Sequence, residues 1–238
     1  MADGLSQLAC TRIEQDELLD LGLGTQANVA ANLAEMRRMN RWLGGLSALT
    51  THLYPRLSVS PQPITLTDLG TGAADIPVTI ARWTETRGLK AHFLALDWTA
   101  RNLTVARRQS QDTPAVCVLR ADANQLPFAN NSVDFVISSL FLHHFSPEPV
   151  VCLLRSAFAC ARRSVIMTDL VRGWLPLLGF KAIQPIFARN FLTRHDGAVS
   201  IRRAYTPSEL RQFAAAAGLK NVQVHVHTPW RMTLVADK

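Results

Sequence analysis

Ile64-Thr65-Leu66-Thr67-Asp68-Leu69-Gly70-Thr71-Gly72-Ala73-Ala74-Asp75-Ile76-Pro77 is the stretch whose reading decides the fold. Ile64 to Leu69 is a short run rich in β-branched residues, and Ala73 to Arg87 is a helix-forming run. Between them Gly70 and Gly72 form a G-x-G turn. A parallel strand feeding such a turn and then a helix sets free backbone N–H groups, and the positive end of the helix, beside a ligand. Glycine suits the turn because a Cβ would block both the bend and the ligand's approach. Many structural turns share this pattern, so its meaning rests on the residues downstream of it.

A second apolar run, Ala91 to Leu96, ends in Asp97. Roughly 20 residues beyond such a turn, an acidic residue at a strand end accepts hydrogen bonds from ribose hydroxyls. The nicotinamide fingerprint requires Gly or Ala where Asp75 stands, and a carboxylate at that helix start would repel a pyrophosphate. It is harmless beside a phosphate-free nucleoside carrying positive charge, which describes S-adenosylmethionine with its sulfonium and ammonium groups.

Asp68-x-Gly70-x-Gly72-x-Ala74 resembles the first motif of class I S-adenosylmethionine-dependent methyltransferases, with Ala74 in place of the usual third glycine. Asp97 resembles their ribose-binding acid. Ala121-Asp122-Ala123, ahead of Gln125 to Phe128, resembles the segment that contacts adenine. Ser132 to Phe145 resembles their fourth strand and the loop after it. Four motifs stand in the family's order across residues 60 to 236. The resemblance implies S-adenosylmethionine as cofactor. It places Asp68 and the backbone of Gly70, Thr71 and Gly72 at the methionine end, Asp97 at the ribose, and Asp122 with Ala123 at the adenine. Trp98 and Ser139 complete the implied contacts. Arg37 to Gly45 and Leu192 to Gly197 are similar to bacterial members of the branch that methylates quinones, phenols and polyketides. The implied fold is a doubly wound, Rossmann-like α/β domain with a seven-stranded sheet, its last strand antiparallel, behind an N-terminal helical cap.

With 238 residues, 48% hydrophobic and 18% charged, the chain has the makeup of a globular α/β domain with one extra element. Cys10, Cys117, Cys152 and Cys160 are scattered without a C-x-x-C pair, as expected of reduced thiols in a cytosolic protein. The first residues lack a basic start and apolar core, and no apolar run has the length of a membrane span. The reading is a cytoplasmic protein. A net charge of +7 admits nucleic acid, an anionic membrane or an acidic substrate. Its arginines cluster around 37–41 and 189–203 without interleaved aromatics, so no nucleic-acid partner is expected.

Taken in order, residues 1–60 read as an N-terminal cap and linker. They comprise a lead-in with a short acidic helix over Ile13 to Leu21, then helices from Gln26 to Leu53 interrupted at Gly44-Gly45. Pro55 to Pro63 reads as a proline-punctuated linker. Residues 61–238 form the methyltransferase domain. Strands are expected at 64–69, 91–96, 115–119, 133–140, 163–169, 222–227 and 230–236, and helices at 73–87, 99–110, 147–161 and 206–217. Residues 170–204 form a lid insertion in which Pro176, Gly179 and Pro185 preclude a continuous helix.

Methyl transfer needs an acceptor held in line with the methyl group and, for an alcohol or phenol, a base. His143 and His144 follow the fourth strand, where doubly wound folds bind ligands, and His195 beside Asp196 is a rival from the lid. His225 and His227 alternate on one strand and read as structural. No spacing reads as a metal site. Leu140 to Phe145 lacks the amide-proline loop that stacks a flipped base, which favours a small lipophilic acceptor. The expected reaction is methylation of a phenol, quinol or polyketide oxygen. Carbon methylation of a quinone precursor, a noncatalytic partner subunit and an RNA methyltransferase stand as alternatives. The apolar lid residues, mixed with arginines, also suit contact with a membrane surface.

Overall fold

The computed structural model describes residues 10–238; the first nine residues of the lead-in lie outside them. The seven strands are β1 (Ile64–Leu69), β2 (Ala91–Asp97), β3 (Val116–Arg120), β4 (Val133–Ser139), β5 (Ala161–Leu170), β6 (Val222–His227) and β7 (Arg231–Asp237). They lie in the order β3-β2-β1-β4-β5-β7-β6. The pairs from β3 to β5 are parallel, and β7 runs antiparallel between β5 and β6. Strand order reverses between β1 and β4, so a crevice opens at their C-terminal ends, which is where open α/β sheets receive ligands.

Eight α-helices complete the described chain: α1 (Gln26–Trp42), α2 (Gly45–Ser58), α3 (Asp75–Glu85), α4 (Ala100–Ser110), α5 (Pro147–Cys160), α6 (Trp174–Phe187), α7 (Phe191–Arg203) and α8 (Pro207–Ala216). Local chemistry starts several of them. Thr25 and Asn28, like Thr206 and Glu209, close reciprocal capping boxes, and Pro147 opens α5 behind Ser146. Leu53 of α2 and Ile80 of α3 share a buried cluster with Phe135 and Ile166 of the sheet. On the other face Leu153 of α5 and Leu210 of α8 pack with Val136 and Met167.

Several sequence expectations change here. Helix α3 begins at Asp75 rather than Ala73, because Ala74 holds a left-handed φ of 57° that no helix accommodates. The acidic helix over Ile13 to Leu21 is absent, leaving a strap that ends in a turn, Leu21 N–H donating to Glu17 at 3.1 Å. Its backbone donors are spent elsewhere: Ile13 N–H on the Arg202 carbonyl, and the Leu18 and Leu19 N–H groups on the Asp196 carboxylate. The linker is also shorter than expected, since α2 runs through Pro55. Leu49, Leu53 and Leu57 on its inner face are fully buried, each contributing about 1.5–3 kcal/mol, which outweighs the roughly 3 kcal/mol cost of an internal proline. With those leucines in the cluster of Ile64 and Leu66, the chain's packing does not divide at residue 60.

The lid contains a continuous 14-residue helix, α6, contrary to the expected breaks. Pro176 lies in the first turn, where its missing N–H would have had no partner, and Pro185 lies in the last. Gly179 is there for fit: a Cβ would collide with the Trp230 ring, as one at Gly197 of α7 would with Phe180. His225 and His227 join His52 of α2 on the sheet's edge, with the Nε2 atoms of His52 and His227 3.3 Å apart. Burial, then the two neighbouring imidazoles, lowers His52 to about 4.

Candidate active site

The crevice at the ends of β1, β2 and β4 is a cleft of about 560 Å³. Asp68, Gly70, Thr71, Gly72, Asp97, Trp98, Asp122, Ala123 and Ser139, all nine residues expected from the sequence, line it. Gly70, at φ 68°, lies so close to the Phe141 ring that any side chain would strike it. The turn differs from expectation in one respect. Thr71 N–H donates to the Leu96 carbonyl at 2.8 Å, Gly72 N–H to Asp97 Oδ2 at 2.9 Å, and Ala74 N–H to Thr71 at 2.9 Å. These amides hold the turn against β2 and are not free to cradle an anion.

Instead the turn gathers carboxylates. Burial pushes Asp68 up to about 8, against the Thr71 hydroxyl that donates to it at 2.7 Å; Asp75 and Asp97 push the same way. Burial raises Asp75 to about 6, with its own backbone N–H and Arg37 opposing. It also raises Asp97, although Thr99 N–H, Gly72 N–H and the Asn102 amide all donate to that carboxylate. Two buried acids and a half-buried third crowded together are costly unless a cation joins them. The residues therefore suit a ligand bearing positive charge and no phosphate. Farther along the cleft, Asp122 accepts from Asn124 N–H at 2.8 Å, and the Arg120 guanidinium lies 5.1 Å from the ring of the exposed Trp98.

A second cavity, of about 310 Å³, adjoins the first and shares Leu19, Met36 and Leu140 with it. Met39, Leu43, Leu170, Phe180, Ile183 and Trp230 make most of its wall apolar. The three candidate histidines separate here. His143, at the 3-10 turn Leu142–His144, lines this second cavity and is buried. Asp169, at the end of β5, accepts from its backbone N–H at 3.0 Å and lies 2.7 Å from Nδ1, while Nε2 is 3.4 Å from Glu17 of the strap. Burial alone would lower His143, but Asp169 and Glu17 overcome it and raise the imidazole to about 10. Burial would likewise raise Glu17, yet the two histidines and Ser200 bring it down to about 2.

His144 lines the cofactor cleft instead, with Nδ1 2.8 Å from Asp20. His195 is oriented by Asp196, at 2.9 Å as its neighbourhood in sequence implied, but it lines neither cavity. Glu17, Asp169, Arg203 and Arg231 are the residues that sequence reasoning missed. Arg203 ties the site together by donating to the carbonyls of His143, His144 and Gln15. Asp169, at the point where strand–helix alternation stops, was the one with a signal in the sequence. Glu17, His143 and His144 also bring three donor atoms of metal-binding type within 4.8 Å of one another. No spacing could show this, because Glu17 arrives from the strap. Within the chain, His143 stands between the carboxylates of Glu17 and Asp169.

Residues 67–164 match the model of a family described as a methyltransferase domain. Residues 67–164 are a methyltransferase domain, and the fold around them is that of class I methyltransferases. The methyltransferase takes S-adenosylmethionine as its cofactor, consistent with a carboxylate-rich cleft that favours a cation. It is similar in structure to a SAM-dependent methyltransferase from Aquifex aeolicus, with a TM-score of 0.60 at 16% identity over 90% of this chain and 99% of that one. The magnesium protoporphyrin IX methyltransferase of Synechocystis, solved with SAH bound, gives 0.59 at 16% identity over 86% and 93%. The CurJ carbon methyltransferase gives 0.59 at 12% identity over 78% of this chain and 51% of that one. No curated protein matches the methyltransferase by sequence.

Proposed function

We propose that the methyltransferase acts on a small lipophilic acceptor, at an oxygen of a phenol, quinol or polyketide enol. The carrying observation is the apolar 310 Å³ cavity that meets the cofactor cleft at Leu19, Met36 and Leu140, with His143, held from behind by Asp169, in its wall. In this reading Asp68 and the Gly70–Gly72 turn hold the methionine end of the donor, Asp97 its ribose, and Asp122 with Ala123 its adenine. The bound sulfonium supplies an activated methyl group. The chain's own work is to bring the acceptor oxygen into line and manage its proton. An acceptor hydroxyl entering beside Nε2 displaces Glu17, which removes one of the two carboxylates that keep His143 charged. The imidazole then falls toward its ordinary range and releases its Nε2 proton to solvent, and the neutral ring takes the hydroxyl proton at Nε2 while Asp169 holds the Nδ1 proton.

Outside the cavity α6 exposes Trp174, Leu175, Leu178 and Ile186. In our reading this face rests on an anionic membrane surface, from which a lipophilic acceptor is drawn; among the described residues no helix is long and apolar enough to cross a membrane. The test is incubation with labelled S-adenosylmethionine and a panel of phenols, quinols, enols and bulk RNA. Label is expected in the lipophilic compounds, with NMR of the product separating oxygen from carbon methylation. Label confined to RNA overturns the proposal. Binding of S-adenosylhomocysteine with no transfer to any acceptor makes the chain a cofactor-binding subunit.

A further inference from the structure

Arg231 opens β7 opposite Leu170 of β5 and lines the apolar second cavity. It is 7% exposed. Burial lowers its guanidinium to about 10, Asp169 partly opposing, so it remains a cation at neutral pH. Two other buried arginines show how this chain ordinarily treats such a group. Arg172 donates to the Cys10 and Ala204 carbonyls and to the Glu209 carboxylate, and Arg203 donates to three carbonyls. Among the described residues Arg231 has no such set. Its Nε is shielded from solvent without an acceptor, beside Gly45 and the likewise unpartnered Asn40 Oδ1, and its guanidinium makes no ion pair among the described residues. A buried cation with unmet donors is retained only where something supplies the acceptors. The planar fork of a guanidinium matches the two oxygens of a carboxylate.

We propose that the acceptor carries a carboxylate on its apolar frame and that Arg231 receives that carboxylate at the end of the second cavity. The proposal rests on the lipophilic-acceptor reading and narrows it to aromatic or polyketide-like acids. Asn32 sits in the same wall with its side-chain oxygen buried and without a donor, its amide already given to Thr193 at 3.0 Å. An acceptor bearing a hydroxyl as well as a carboxylate would meet both groups.

The test compares binding of 1-hydroxy-2-naphthoate, its methyl ester and 1-naphthol, followed by fluorescence in the presence of S-adenosylhomocysteine. Wild-type protein is expected to hold the naphthoate about 10- to 100-fold tighter than either neutral compound. Arg231→Gln removes that difference and Arg231→Lys keeps part of it, both with unchanged affinity for S-adenosylhomocysteine. Equal binding of acid and ester by wild-type protein overturns the assignment of Arg231 and leaves the lipophilic-acceptor reading standing. A preference that persists in a folded Arg231→Gln variant overturns it as well. Should that variant not fold, the wild-type comparison of acid with ester decides alone. Failure of all three compounds to bind overturns this proposal and the lipophilic-acceptor reading together.

Discussion

The two cavities that meet at Leu19, Met36 and Leu140 differ in how their charged groups are arranged. The cofactor cleft gathers Asp68, Asp75 and Asp97, whose burial holds all three above the ordinary carboxylate range. The second cavity sets two cations, His143 and Arg231, in an apolar wall beside the buried carboxylates of Glu17 and Asp196. The cleft suits a cationic donor; in the second cavity His143 is paired with Glu17, while Arg231 makes no ion pair among the described residues. The sides also differ in construction. The cleft is built chiefly by a turn and three strand ends, with the strap, α1 and Arg203 of α7 adding to its wall, whereas the second cavity is assembled mainly from the strap, α1, α6, α7 and the start of β7.

The largest expected effect falls on the acceptor side. His143→Ala should lower turnover by on the order of 10²–10⁴ while binding S-adenosylhomocysteine normally, and activity should recover at high pH where a phenol ionises unaided. Single-turnover assays with labelled donor across a pH series check this. Full activity at neutral pH would leave the acceptor without need of a base.

Next comes the clamp between the strap and the 3-10 turn. His143 is raised from 6.5 to about 10, so its contribution to stability is complete below pH 6.5 and fades as pH climbs through 10. Glu17 is lowered from 4.5 to about 2, so its contribution is complete above pH 4.5 and fades as pH falls through 2. Glu17→Gln should therefore destabilise most between those limits, by on the order of 3 kcal/mol near pH 6, and progressively less toward pH 10. Chemical denaturation of both proteins at pH 6 and pH 9 measures it; a deficit independent of pH would mean the contact is not ionic.

On the cofactor side, Asp97→Ala should weaken S-adenosylhomocysteine binding about 10- to 150-fold in a folded protein. Calorimetry showing unchanged affinity would remove Asp97 from the ribose. The smallest effect is expected outside both cavities. Trp174→Asp with Leu178→Asp should abolish flotation with anionic liposomes at low salt, and absence of the wild-type protein from the liposome fraction at every salt concentration defeats the membrane contact.

The same contrast explains what was legible in the sequence. Strand–turn–helix chemistry is local, so Asp68, the Gly70–Gly72 turn and Asp97 could be found from order and spacing, and all seven strands with them. The acceptor cavity depends on contacts between segments far apart in the chain. Glu17 reaches His143 across the sheet edge, and nothing near Glu17 signals this. The acidic strap read as a helix because its composition favours one, while the Asp196 carboxylate captures its amides instead. Pro176, Gly179 and Pro185 read as breaks because a proline's position within a turn, and the ring facing a glycine, are tertiary facts. His143 and His144 looked alike, with His195 a rival from the lid, and only placement separates them: His143 in the second cavity, His144 in the cleft and His195 in neither.

The glycine contacts under the lid bear on how this enzyme could change its diet. Phe180 fills the space a side chain at Gly197 would need, and Trp230 does the same for Gly179. Each aromatic ring also lines the acceptor cavity. A descendant that trims either ring to admit a bulkier acceptor opens a hole beside the glycine, and one that enlarges the glycine first drives the ring into the cavity. Selection for new acceptors should therefore travel by matched exchanges of ring and glycine, made across segments that no short stretch of sequence joins.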